Sequence, residues 1–375
     1  LVLALGACSE KKGDWTVEEI ALGGRIPIIA LDAAQQPHVI FVVGDDDDHM
    51  VIKYAVRSAS GWKVSGVAQM DGSWGHGLLA MRMTPEGPCV LAKVDENNMP
   101  YLGCAKDGWY PVLRPDLRFP RGGAANAVVT DSGVTITPSG KRGSPTPQDV
   151  PDFGAFYAIA LGPGGTPYIA YPGPRGIWLA RWAPDFQTAL AQEADDAGNL
   201  SLFIDTAGIA QVSYTTDRQM ASRTFHYSRA DAPWAPWHWT TSVVEKDGNR
   251  GQYVQMAFGP DGKARMMYSD LDEGSLRYAK EGASGWETQT IPDSPRLISE
   301  RSFSIAADPA GKIQVAYAEK GAQYARLDGE KWLLEKIDDS NAVDMSLAVD
   351  NVGVPHAAYV DYTTKKLLYA VRKPD

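Results

Sequence analysis

The sequence predicts an all-β fold made of a repeated four-stranded unit, and three observations predict it. First, a turn tetrad recurs at 32–35 (DAAQ), 84–87 (TPEG), 162–165 (GPGG), 205–208 (DTAG), 259–262 (GPDG), 308–311 (DPAG) and 350–353 (DNVG). Its chemistry suits a type I turn: Asp caps the first position, Pro presets φ at the second and Gly accepts the fourth. Second, after Gly165 the tetrads follow one another at 43, 54, 49 and 42 residues, the length of one four-stranded blade. Third, each tetrad lies between short apolar runs, as MAF and ARMMY flank GPDG, and no segment holds a 3.6-residue apolar period for long.

The remaining elements follow in order. A third run such as LRYAK comes after a polar loop, and a fourth opens with tryptophan, at Trp62, Trp109, Trp286 and Trp332. One such sheet cannot bury both its faces alone, so consecutive sheets stack and the stack closes on itself, giving a β-propeller. The last repeat ends at Asp375, 22 residues past Gly353, where its Trp-led fourth strand is due. That strand stands at the other end of the chain, at 15–20 (WTVEEI), which predicts a ring closed by the N-terminal strand. Between Gly87 and Gly165 lie 78 residues, more than one repeat and fewer than two. There NAVVTDSGVTITPSG matches two strands, but KRGSPTPQDVPD offers no third or fourth. The expectation is therefore seven clear four-stranded blades plus one degenerate blade, with eight slightly favoured over seven and a long insertion.

A net charge of −10 without a basic block argues against binding a nucleic-acid backbone. No stretch reaches the roughly 18–20 apolar residues of a membrane-spanning helix. The opening LVLALGAC is apolar and gives way to the polar SEKKGD, as the tail of a secretory leader does. Leu5-Gly6-Ala7-Cys8 resembles a bacterial lipobox, which implies lipidation at Cys8. The expected organisation is a leader remnant over 1–8, a tether over 9–14 and a single propeller domain over 15–375. An exported, monomeric lipoprotein of the periplasm or cell surface follows, touching the membrane through its anchor only. Ser9 favours the outer membrane. The six histidines are dispersed and show no metal-ligand spacing, and no metal or cofactor is expected. His38 and His356 occupy equivalent positions after Pro, which assigns them to the repeat. If Val94 faces Met99 across the turn at 95–98, opposed residues sum to 193. Cys89 and Cys104 then face each other within disulfide reach.

Loops in a propeller alternate between two faces. The tetrads occupy one; the other carries the starts of the inner strands and the loops between strands two and three. At the inner-strand starts stand Arg25 and Arg301, each seven residues before its tetrad, with His76 and Arg250 nearby. The facing loops hold Asp45, Asp46, Asp47 and Asp48, then Asp95, Asp217, Asp270, Glu319 and Asp361. Arginine forks, carboxylates and aromatics around a pocket suit a glycan or sugar acid. Solvated hairpin loops and core tyrosines at a repeat position explain the same residues without a ligand.

The segment GRIPIIALDAAQQPHVIFVVGDDDDHMVIKYAVRSASGW (24–62) resembles the first blade of the bacterial sialidases and their BNR-repeat relatives, and YSDLDEGSLRYAKE (268–281) resembles the tyrosine segment of that family. The resemblance implies a carboxylate-binding role for Arg25, an acid/base among Asp45–Asp48 and a nucleophile at Tyr268. No glutamate is singled out beside that tyrosine. Tyr268 also shares its repeat position with Tyr171, Tyr214, Tyr317 and Tyr359. The expectation is therefore an exported propeller that binds a glycan or protein partner on one face, with an exo-sialidase-like glycoside hydrolase as the alternative.

Overall fold

The computed structural model describes residues 11–44, 49–71, 79–93, 100–109, 125–130, 133–138, 149–150, 158–173, 175–182, 186–194, 196–216, 223–294 and 302–373. It is an all-β, seven-bladed propeller of antiparallel blades, with no α-helix among the described residues. The inner strands, in blade order 1 to 7, are Gly24–Leu31, Leu79–Thr84, Ala158–Leu161, Gly198–Ile204, Arg250–Phe258, Phe303–Ala307 and Ala342–Val349. Each neighbours the next, and the seventh neighbours the first. Hydrophobic clusters join successive blades in the same way. Leu161 meets Leu91 and Leu102 between blades 2 and 3, and Leu367 and Tyr369 meet Val39 and Phe41 between blades 7 and 1.

The expected eighth blade is not part of the ring. Three described strands make a small separate sheet in which Ala125–Thr130 lies between Gly133–Pro138 and Asp149–Val150. A blade is a meander with its first strand at the inner edge. A sheet with its first strand in the middle does not have the strand order of a blade. Blade 2 accordingly packs directly on blade 3.

The turn tetrads form as their composition dictates. In blades 1, 4, 6 and 7 the leading Asp accepts two backbone amides through one oxygen; Asp308 Oδ1 takes those of Ala310 and Lys312 at 2.9 and 2.8 Å. The fourth position is left-handed, with φ of 81° at Gly311 and 89° at Gly353, where glycine carries no Cβ penalty. The tryptophans that open the outer strands of blades 1, 5 and 6 pack edge-on against a third-strand tyrosine of the preceding blade, whereas Trp239 of blade 4 packs on Trp237. Trp62–Tyr369, Trp286–Tyr227 and Trp332–Tyr278 have centroids 5.2, 5.2 and 5.5 Å apart. Such pairs add about 0.5–1.5 kcal/mol each beyond their buried area.

The N-terminal strand Trp15–Leu22 is hydrogen-bonded to Lys366–Arg372 as the fourth strand of blade 7. Trp15 meets Tyr324 at 5.2 Å, the contact that the tryptophans of blades 1, 5 and 6 make. Of the expected tether, Lys11–Lys12 pairs in parallel with Glu335 and Lys336 at the edge of blade 6. Hydrogen bonds also link inner strands around the ring: Ser304 Oγ accepts the Leu347 amide and Ser346 Oγ the Ile29 amide, both at 3.1 Å.

Cys89 and Cys104 are directly opposed in blade 2 and form a disulfide, with Cα atoms 4.1 Å apart. His38 and His356 each bond a third-strand tyrosine through Nδ1, Tyr54 at 2.5 Å and Tyr369 at 2.6 Å. Blades 4 and 6 make the same contact with glutamine, Gln211 to Tyr227 and Gln314 to Tyr324. The histidines therefore serve the repeat.

Candidate functional site

The face opposite the tetrads begins, in each bulged inner strand among the described residues, with a left-handed residue six positions before the turn. These are Ile26, Asn199, Tyr253 and Asp344, with φ of 55°, 49°, 52° and 53°. At each the ladder to the second strand slips register. A bulge here re-aims the strand as it enters the ring. Arg25 precedes Ile26. Its side chain is exposed and has no hydrogen-bond or ion-pair partner among the described residues, while the adjacent Ile26 amide donates to Asp344 Oδ2 at 3.1 Å.

Arg250 is placed differently from Arg25. Its Nε donates to Asp270 Oδ2 at 2.7 Å within blade 5, and that bond raises the guanidinium pKa against the opposing effect of burial. Asp270 is fully buried and also accepts the amides of Asp272 and Glu273, so it caps its own hairpin. Asp361 does the same in blade 7, accepting from the Thr363 amide at 3.0 Å and the Thr364 hydroxyl at 2.6 Å. The Thr364 bond is foremost in holding the Asp361 carboxyl below the usual carboxylate range. Glu319 lies in the matching hairpin of blade 6, its backbone bonded to Gly321 and Gln323. Two of the acids singled out from sequence, Asp270 and Asp361, thus shape hairpins with their carboxylates, and Glu319 does so through its backbone. Arg301, His76, Asp45, Asp46, Asp47 and Asp48 lie outside the described residues, as do Asp95 and Asp217.

Tyr268 has a glutamate partner that sequence reasoning missed. Its hydroxyl donates to Glu245 Oε2 at 2.6 Å, and Arg277 forks the same carboxylate at 2.6 and 3.1 Å. A tyrosine–glutamate pair is what a retaining sugar transfer to tyrosine needs. Accessibility decides against that use. Tyr268 has no exposed surface, and burial first, then the Glu245 charge, push its phenol well above the ordinary range. A nucleophile needs the reverse.

The repeat explains the pair. Glu245 follows Trp239 by six residues, as Asp338 follows Trp332. Asp338 Oδ2 accepts the Tyr359 hydroxyl at 2.5 Å across the next such interface, and Tyr359 is equally buried. In blade 1 the tyrosine position is Phe41, and the residue six after Trp15 is Ala21. The same tyrosine–carboxylate bond thus recurs at two interfaces, whereas at Tyr317 the residue six after Trp286 is Pro292, so the pair belongs to the seams of particular blades and not to every one. Comparing the ends of the outer strands between repeats was the signal that could have found Glu245.

No protein-family model matches this sequence, and no curated protein sequence matches it. Solved structures do share its fold. A protein of unknown function from Dyadobacter fermentans aligns with a TM-score of 0.52 at 9% identity, over 98% of this chain and 100% of that one. The polysaccharide lyase Uly1 aligns at 0.52 with 11% identity, over 95% and 91%. The NanB sialidase of Streptococcus pneumoniae aligns at 0.46 with 11% identity, over 98% and 70%. At these identities the likeness is one of fold.

Proposed function

We propose that this propeller is a binding protein that takes an acidic glycan at the face where its inner strands begin. One observation carries the reading: Arg25, at the start of an inner strand, keeps an exposed guanidinium without a partner among the described residues, whereas Arg250 is consumed by Asp270. An exposed arginine fork at the start of an inner strand suits a carboxylate. A polysaccharide lyase shares the fold, which makes carbohydrate the ligand class to test first. The exo-sialidase-like reading rests on the Tyr268–Glu245 bond, and the burial of both groups weighs against it. The Cys89–Cys104 disulfide supports export, and lipidation at Cys8 with an outer-membrane location belongs to the same proposal. The strand Trp15–Leu22 serves in it as the latch of the ring.

Calorimetric titration with sialyl and uronate oligosaccharides tests the binding role. Arg25→Ala and Arg301→Ala are expected to weaken binding with unchanged melting temperature, and equal affinity in Arg25→Ala overturns the proposal. Turnover of a fluorogenic sialoside that vanishes in both Arg25→Ala and Tyr268→Phe establishes the hydrolase instead.

A further inference from the structure

The left-handed residues at the starts of the inner strands form an internal comparison, because each is strained and most are visibly used by the fold. Asp344 accepts the Ile26 amide and so joins blade 7 to blade 1. Asn199 donates to Thr215 Oγ1 at 3.0 Å within blade 4. Ile26 is half-buried. Tyr253 is the exception: 37% of it is exposed, and its side chain has no hydrogen bond or ring contact among the described residues. A bulky residue held at φ 52° without a structural use is an uncommon expense.

The backbone around Tyr253 is nonetheless held from several sides. The Asn249 amide donates to Asp272 Oδ2 at 2.8 Å and the Leu271 amide to the Asn249 carbonyl at 3.0 Å. Ser269 Oγ donates to the Gln252 carbonyl at 3.0 Å, and Gln252 Nε2 to Asn249 Oδ1 at 2.9 Å. Gly251, at φ 77°, lies so close to Phe225 that a Cβ there would come within 2.6 Å of the ring. The ladder of this strand breaks twice, where those of blades 1, 4 and 7 break once. The result is a braced strap that presents one exposed aromatic ring on the proposed binding face.

We infer that Tyr253 is a sugar-stacking residue of that face, and that its ligand is an oligosaccharide reaching from Tyr253 to Arg25. Aromatic rings carry large contact area at little entropic cost, and their faces suit the apolar face of a pyranose. Blades 1 and 5 are separated by two blades on one side of the ring and three on the other. A ligand that touches both therefore crosses the mouth, which a single terminal sugar does not do. This inference rests on the acidic-glycan reading and adds ligand length to it.

The test is titration of the full chain with galacturonic acid and with oligogalacturonates of increasing length, alongside a matched oligosialic acid series. Affinity is expected to rise with length. Tyr253→Ala and Tyr253→Gly are expected to lose about tenfold in affinity, and Tyr253→Phe to stay within about twofold, because stacking needs the ring and not the hydroxyl. Tyr253→Gly is also expected to raise the melting temperature, since glycine adopts this φ without strain. A purely structural tyrosine gives the opposite pattern, a lower melting temperature with unchanged affinity, and that result overturns the inference. Loss of binding in Arg25→Ala with full binding in Tyr253→Ala and Tyr253→Gly removes the stacking role and leaves the acidic-glycan reading standing. Equal affinity for monomer and oligomer overturns the length assignment, and no binding of any probe sinks both.

Discussion

The two faces of the ring obey different rules. On the tetrad face, blades 1, 4, 6 and 7 repeat one set of bonds almost atom for atom, with the Asp side chain closing the turn. On the opposite face the same register holds Ile26, Asn199, Tyr253 and Asp344, an aliphatic, an aromatic and two short polar residues with different partners. Repetition marks what each blade needs in order to fold and stack. Divergence at a fixed backbone position marks where the fold demands a conformation and leaves the choice of side chain open. Substitutions on the first face and along the blade seams should therefore cost stability and spare binding, whereas Arg25 and Tyr253 should do the reverse.

The largest effect should come from the seam at the chain ends. Deleting residues 9–22 removes Trp15 and buried Ile20 from blade 7 and exposes Tyr324. At about 1.5–3 kcal/mol for each large side chain buried, the loss should be several kcal/mol. Denaturant unfolding measures it, and an unchanged midpoint would count against the N-terminal strand as latch. Next is the disulfide. It spans 15 residues, and a loop of that length is worth about 3 kcal/mol by unfolded-chain entropy. Urea midpoints with and without reductant should differ accordingly.

Smaller again is Asp308→Ala, which strips two amides of their acceptor and should cost about 1–2 kcal/mol, as loss of a helix N-cap does. If the same change lowered glycan affinity, the division between faces would fail. The smallest effect is a slope. His356 is buried, and burial foremost holds its pKa below the 6.5 of an unperturbed imidazole. Its folded-state pKa is depressed, so its contribution is fully present above pH 6.5 and is lost as pH falls toward the lower folded value. His356→Gln should keep the bond to Tyr369, as Gln314 keeps its bond to Tyr324. It should also flatten stability against pH below 6.5, with a residual slope from His226, whose pKa burial lowers likewise.

Much of this was written locally. The tetrads, the blade-opening tryptophans, the displaced fourth strand at the N-terminus and the Cys89–Cys104 register all follow from spacing and turn chemistry, because each repeat obeys the same short-range rules. His38 and His356 were legible as repeat residues for the same reason. The count of blades was not. Whether residues 125–150 enter the ring depends on strand order within a sheet, and two strand-like runs read alike whether their first strand ends up at an edge or in the middle. The site divided in the same way. Sequence could place Arg25, Arg250, Asp270 and Tyr268 on one face. Pairing of neighbouring strands within blade 5 joins Arg250 to Asp270, and only packing across the blades decided that Glu245, from the preceding blade, meets Tyr268. Only packing, too, left Arg25 and Tyr253 exposed. Local chain chemistry determines what each blade is, whereas partner and accessibility belong to contacts between blades, whose residues are far apart along the chain.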